Sequence, residues 1–214
     1  MQGVFYDGKS YYTKNMVPGM QVYDERLVVQ DKDEYREWSL VKSKLAASLA
    51  KGISQIGMKP GHVVLYLGAA SGTTPSHVSD LLGKGGIVFA LDFAPRVVRD
   101  LALLSDRRSN MVPIMADAHL PQEYAHLVPA VDVIYQDIAQ RDQAEIFLKN
   151  CKIFLKHDGF ALLAVKAKSV DISKRSKQIF REVREMIEKE LTIVDYRELD
   201  PYEKDHCMFV CKKK

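Results

Sequence analysis

The chain has 214 residues, 47% of them hydrophobic and 28% charged, which is enough apolar material for a packed core, so the chain need not be disordered. Its formal net charge is +3 and its pI about 8.6, too little for a protein that grips nucleic acid by its own charge, so a partner would have to supply much of any such grip. The N-terminus, MQGVFYDGKSYYTKN, has no apolar signal core, and no uncharged apolar run approaches a membrane span, which predicts a soluble, cytoplasmic protein.

In chain order, VFYDGKSYY places two aromatic runs around Asp7-Gly8, a hairpin signal. Pro18-Gly19 marks another turn and QVYDERLVVQ the next strand, so residues 1–33 read as a small β-rich domain. DKDEYREW is charged, and SKLAASLAKGI starts a helix with Leu45, Leu49 and Ile53 on one face. From residue 60 strands and helices alternate. HVVLYL (62–67) is a continuous apolar run, as expected of a strand covered on both faces. Thr74-Pro75 reads as a helix start, with a capping hydroxyl and an early proline.

GIVFALDF (86–93) is the second strand of this alternation, and Pro95 opens a helix. VPIMADA (112–118) and VDVIYQDIAQ (131–140) are the third and fourth strands, each ending in acid. AEIFLKNCKIFLK (144–156) is a helix stopped by Asp158-Gly159, and FALLAVKAK (160–168) is a fifth strand ending in lysine. SKRSKQIFREVREMIEKE (173–190) is an amphipathic helix, followed by strands LTIVDYREL and HCMFVCK. Cys207 and Cys211 share one face of that last strand. With Cys151 they show no metal-ligand spacing, which predicts reduced thiols. The pattern predicts a doubly wound, mostly parallel α/β sheet whose last two strands form an antiparallel edge. Ligands of such sheets sit beyond the carboxyl ends of the strands.

At those ends the first turn is Gly68-Ala-Ala-Ser-Gly72-Thr73-Thr74. It is neither a P-loop nor G-x-G-x-x-G, which argues against an ATPase and a dehydrogenase. Taken alone, its glycines serve equally to let strand and helix pack closely. Asp92 ends the second strand, where an acid accepts from ribose hydroxyls. Asp117 ends the third, where a carboxylate accepts from an adenine amino group. Either acid alone is more often a turn or cap residue; together with the turn they point to adenosine without pyrophosphate, for which S-adenosylmethionine is the commonest source. Asp137 and Lys166 end the fourth and fifth strands and so share one crevice. Lys166 could also be a lysine snorkelling from a buried strand end. His206 and Lys44 would each pass for ordinary structural or surface residues.

The stretches SKLAA, VLYLGAASGTT-SHVSD, DVIYQDIAQ-DQ, VKAKSVD and YEKDH occur in an order that resembles the fibrillarin family of RNA-guided ribose 2′-O-methyltransferases, in its archaeal form. The resemblance runs from about residue 3 to the C-terminus. It implies a class I S-adenosylmethionine-dependent methyltransferase domain over residues 34–214 behind the N-terminal β domain. It places cofactor contacts on Gly68, Thr73 and Thr74, on Asp92 and Phe93, on Asp117 and Ala118, and on Asp137, Ile138, Ala139 and Gln140. The family's Lys-Asp-Lys-His tetrad falls on Lys44, Asp137, Lys166 and His206. Where the family commonly has glutamate, Asp92 is one methylene shorter. The implied partners are a Nop-family scaffold protein, a box C/D guide RNA with its target RNA, and a kink-turn-binding protein. Lys174, Arg175, Lys177, Arg181 and Arg184 offer a local basic surface, or simply a solvated helix face. Two alternatives are a stand-alone heat-shock-type enzyme, for which a glutamate is expected in the His206 role, and a non-catalytic assembly module.

Overall fold

The computed structural model describes residues 1–214. Strands β1 (Val4–Tyr6) and β2 (Tyr11–Lys14) pair antiparallel across the Asp7-Gly8 turn. Asp7 Oδ1 accepts from the main-chain N of Ser10 at 2.7 Å and of Lys9 at 2.9 Å, and these bonds hold its carboxyl down at about 2. Strands β3 (Leu27–Gln30) and β4 (Asp33–Glu37) complete an antiparallel sheet in the order β1-β2-β4-β3. The sheet therefore runs past the expected boundary at residue 33, because the charged stretch is itself a strand. Its Arg36 points inward, fully buried, and pairs with Glu25 at 2.7 Å and Asp80 at 2.8 Å. Most of QVYDERLVVQ is not strand; Val22 and Tyr23 instead donate their main-chain N–H groups to the buried Glu25 carboxylate.

After α1 (Lys44–Ala50), the alternation is β5 (Val63–Leu67), α2 (Thr73–Leu82), β6 (Ile87–Asp92), α3 (Pro95–Ser105) and β7 (Met111–Met115). It continues with β8 (Val131–Gln136), α4 (Gln143–Phe154), β9 (Leu155–Lys166), the short α5 (Ala167–Val170) and α6 (Ser176–Ile187). Strands β10 (Leu191–Glu198) and β11 (His206–Lys213) end the chain. The seven-stranded sheet has the order β10-β11-β9-β8-β5-β6-β7, with β11 antiparallel to both its neighbours. Alternate strand residues feed two cores. Leu65, Leu67, Leu163 and Val165 pack with α4 and α6, while Val64, Tyr66, Leu162 and Ala164 pack with α1, α2 and α3. Cys207 and Cys211 lie together in the first core, buried and free.

Two boundaries differ from expectation. The helix from residue 144 ends at Phe154, because Leu155 turns extended and pairs with Val131 of β8. Helix α2 is entered through Gly72 at φ +96°, not through a Thr74 cap. A Cβ on Gly72 would come within 2.4 Å of Leu104. The Thr74 hydroxyl is instead engaged across the core, donating to Ser43 Oγ at 3.1 Å.

The N-terminal sheet is fastened to α2 through one buried acid. Asp80 accepts from Arg36 at 2.8 Å, Arg108 at 2.7 Å, Thr13 Oγ1 at 2.9 Å and the main-chain N of Met16 at 3.0 Å.

Candidate active site

The carboxyl ends of β8 and β9, the start of β11 and the N-terminus of α1 meet at one place. Lys44, the first residue of α1, places Nζ 2.9 Å from Asp137 Oδ2, and both side chains are mostly buried. Its helix is started by Ser43, whose Oγ accepts from the main-chain N of Ala46 and from Trp38 Nε1 at 3.0 Å. Asp137 follows β8, and its main-chain N donates to Leu67 O at 3.0 Å. A Cβ on Gly68 would lie 2.3 Å from Asp137 O, so only glycine lets these two strand ends approach so closely.

Lys166 and His206 stand directly opposite each other in the β9–β11 ladder. Opposed residues of an antiparallel pair share a face, and strand parity puts both on the side of Ala164 and Met208, the side covered by α1. All four tetrad residues therefore reach one face of the sheet. Lys166 is exposed and its side chain makes no ion pair, in contrast to Lys44. His206 is 7% exposed, and its Nδ1 lies 2.7 Å from Lys204 O. Burial first, and then the Lys44 ammonium, depress its pKa against the pull of the Lys204 carbonyl, so it is neutral near pH 7. Beneath Asp137, the rings of Tyr66 and Tyr135 pack 4.6 Å apart. Burial, and for Tyr66 next the Asp137 charge, raises both phenols and keeps them protonated.

Beside the tetrad a cavity of about 360 Å³ is lined by Gly68, Asp92, Phe93, Asp117, Ala118, Asp137, Ile138, Ala139 and Gln140, with Ala70 and His119 among its other walls. The structure thus gathers nine of the expected contacts here and leaves out two. Thr73 and Thr74 do not line it; Thr74 is buried, with its hydroxyl bonded to Ser43. The Asp92 carboxylate receives the main-chain N of Ala70 at 2.9 Å and of Ala94 at 3.1 Å, which fixes it at the cavity edge. Phe93 is 63% exposed and forms an open apolar wall. Three of the five cations expected as a basic surface at and before α6 are ion-paired, while Arg175 and Lys177 are not. Lys174 pairs with Glu182, Arg181 with Glu185 and Arg184 with Glu188, and Arg184 also lies over the Tyr196 ring.

Gln143 is the residue that sequence reasoning missed behind this site. Fully buried, it accepts from the main-chain N of Lys166 at 3.2 Å and donates to Gln140 O at 2.8 Å. One amide therefore ties a tetrad lysine to a cavity wall. Gln143 closes the DVIYQDIAQ-DQ stretch at a helix start after the fourth strand, and that placement is the signal for it.

A sheet of this order with its cavity at the parallel strand ends is the class I methyltransferase fold. The family model for Fibrillarin matches residues 1–214, and the chain belongs to the fibrillarin family. The fibrillarin-like rRNA/tRNA 2′-O-methyltransferase of Pyrococcus horikoshii is 47% identical over 201 residues, covering 94% of this chain and 88% of that protein. Aeropyrum pernix fibrillarin, solved with natively bound S-adenosyl-L-methionine, is similar with a TM-score of 0.90 at 42% identity, covering 98% of this chain and 94% of that one. A chain of a fibrillarin/Nop5p complex gives a TM-score of 0.92 at 36% identity, covering 100% of this chain and 99% of that one.

Proposed function

We propose that this chain methylates ribose 2′-hydroxyls of rRNA and tRNA with S-adenosylmethionine, as the methyltransferase of a guided ribonucleoprotein. The observation that carries the reading is the tetrad: a lysine–aspartate pair at 2.9 Å, with a second, unpaired lysine and a neutral histidine on the same sheet face beside the cavity. Membership of the fibrillarin family, the activity of the P. horikoshii relative and the cofactor of the A. pernix protein support it.

The cavity suits the cofactor's adenosyl part. Asp117 keeps Oδ2 without a hydrogen bond inside the chain, so it can accept from an adenine amino group, and Asp92 is held where ribose hydroxyls would meet it. Phe93 and Ile138 supply apolar walls. When bound, S-adenosylmethionine supplies an electrophilic methyl group on a sulfonium. The chain's own part is to present the other reactant. Asp137 holds the Lys44 ammonium through Oδ2 and keeps Oδ1 as an acceptor for the ribose hydroxyl. Lys166 meets the 2′-oxygen with a free Nζ. As an amine it takes the hydroxyl proton, and as an ammonium it stabilises the developing oxyanion. His206, neutral and fixed through Nδ1, orients the group.

The net charge of +3, and the pairing of Lys174, Arg181 and Arg184 with glutamates, fit an enzyme whose RNA is held mostly by other components. Those components are a Nop-family scaffold, for which the Nop5p complex of a relative is the support, a box C/D guide RNA and a kink-turn-binding protein. A 2′-hydroxyl marks RNA but carries no base sequence, so selection of the nucleotide falls to the guide.

The test is transfer of labelled methyl from S-adenosylmethionine to a target RNA, with and without a matched guide and both partner proteins. Transfer confined to the full assembly at the guided nucleotide, and abolished by Lys166→Ala, is the expected result. Transfer by the chain alone would favour an unguided enzyme, and none in the full assembly would leave an assembly module.

A further inference from the structure

His119 stands between two acids that come from different parts of the chain. Its Nδ1 lies 2.7 Å from Asp117 Oδ1, and its Nε2 lies 3.1 Å from Asp142 Oδ1. The main-chain N of His119 also donates to Asp117 Oδ1, at 2.9 Å. One oxygen of Asp117 is thus engaged twice by the same residue, and Oδ2 by none. Asp142 occupies the N-cap position of α4, yet its carboxylate caps no helical N–H. The histidine takes it instead. Both ring nitrogens face carboxylates, so both contacts are hydrogen bonds only when the ring is doubly protonated. The raised pKa of His119, caused first by its bond to Asp117 and then by Asp142, agrees with that form. Asp117, His119 and Gln140 line the same cavity, so the ring ties the end of β7 to the segment that follows β8.

We propose that His119 is a positioning residue for the cofactor's adenine: clamped to Asp142, it fixes the Asp117 carboxylate in the rotamer that leaves Oδ2 as the single free acceptor for the exocyclic amino group. The inference rests on the reading that this cavity holds the adenosyl part of S-adenosylmethionine. Without the ring, the half-exposed Asp117 side chain keeps only its main-chain contact and turns more freely, so the acceptor is no longer pre-set. The histidine touches no reacting atom. Its effect belongs in cofactor affinity and in discrimination at position 6 of the purine.

The test is calorimetric binding of S-adenosylhomocysteine and of S-inosylhomocysteine, which carries an oxo group in place of the 6-amino group, to the wild-type chain and to His119→Ala, His119→Asn and Asp142→Asn, with folding followed by circular dichroism. The wild type is expected to prefer the adenosyl ligand. His119→Ala should lose about tenfold in affinity for it and little for the inosyl ligand, so that the preference collapses. His119→Asn, which keeps a side-chain donor for Asp117, should recover most of the preference, and Asp142→Asn should lose a smaller part of it. If His119→Ala and Asp142→Asn keep the full preference, the inference is overturned while the cofactor reading stands. If the wild type binds neither ligand, or both equally, the adenine reading itself fails and takes the inference with it. An equal loss for both ligands would make His119 a structural residue only.

Discussion

Replacing Gly68 by alanine puts a methyl group where the structure has none to spare. The new Cβ would lie 2.3 Å from Asp137 O and 3.0 Å from Ile138 Cγ1, and the backbone at φ +82° disfavours any side chain. The backbone conformation alone costs about 1–2 kcal/mol and the overpacking about 1–3 kcal/mol more, so Gly68→Ala should lose roughly 2–5 kcal/mol of stability. For a chain of this size that is a fall in Tm of roughly 10 °C. Relief requires the Asp137 peptide to retreat by about 1 Å, and displacements of that size at a positioned group cost about a hundredfold in rate. Asp137 carries the carboxylate paired with Lys44, so under the role proposed for that pair the loss should fall on methyl transfer itself. Gly61 is the control: at φ +84°, a Cβ there meets nothing within 4 Å, and Gly61→Ala should show the backbone cost with transfer intact. Single-turnover methyl transfer in the assembled particle, alongside thermal denaturation, measures both effects. A folded Gly68→Ala chain that transfers methyl within about threefold of wild type would refute the account of why glycine is needed there.

Asp80→Asn removes the only carboxylate of Arg108 and one of two for Arg36, all buried, so it should destabilise the chain by about 3–5 kcal/mol, read as a large fall in Tm with one cooperative transition. Gln143→Leu strips a partner from the main-chain N of Lys166 and from Gln140 O, and should lower kcat by about a hundredfold at saturating cofactor, with Gln143→Glu intermediate because it keeps the acceptor for Lys166. His77 and His206 have pKa values depressed by burial, His77 strongly, so as pH falls below about 6.5 the unfolded chain takes up protons that the native chain refuses. Their stability is complete above that pH and is lost on acidification, by up to about 1.4 kcal/mol per pH unit for each group. His119 acts in the opposite sense and higher up: its contribution is complete below pH 6.5 and fades as pH rises through its raised value. Urea midpoints measured from pH 8 down to pH 5.5 should therefore fall on the acid side, and a flat acid limb would refute the assignment of His77 and His206 as neutral buried groups.

The strand-end residues were legible because each closes an apolar run with a charge that a buried strand cannot tolerate in its interior. Asp92, Asp117, Asp137 and Lys166 all mark the points where β6, β7, β8 and β9 leave the core. The partners of those residues were not legible. Thr74 looked like a helix cap because hydroxyl-proline pairs usually are, but a left-handed Gly72 had already turned the chain, and the hydroxyl was free to bond Ser43. DEYRE showed only charge and not a strand, because a sequence does not say that Glu25, Asp80 and Ser76 converge on Arg36. Local pattern reports whether a side chain should be buried; it does not report a polar side chain whose partners lie 40 or more residues away.

That blind spot also hides why the N-terminal sheet belongs to the site. Lys44 can meet Asp137 only if α1 starts where it does, and its start is set by Ser43. Ser43 accepts from Trp38 Nε1 and from Thr74 Oγ1, so one atom joins the N-terminal domain, α1 and the helix after the glycine turn. Trp38 in turn stacks on His77 at 4.9 Å, and His77 is held by Thr13 at 2.8 Å and Tyr23 at 2.7 Å. From β2 to the Lys44 ammonium the path is continuous through buried or partly buried groups. Packing of this density transmits displacement instead of absorbing it. The small sheet is therefore part of the scaffold that fixes the first lysine of the tetrad, and loosening it at Thr13 or Trp38 should reach methyl transfer before it reaches cofactor binding, because the cavity walls hang from the strands of the other sheet.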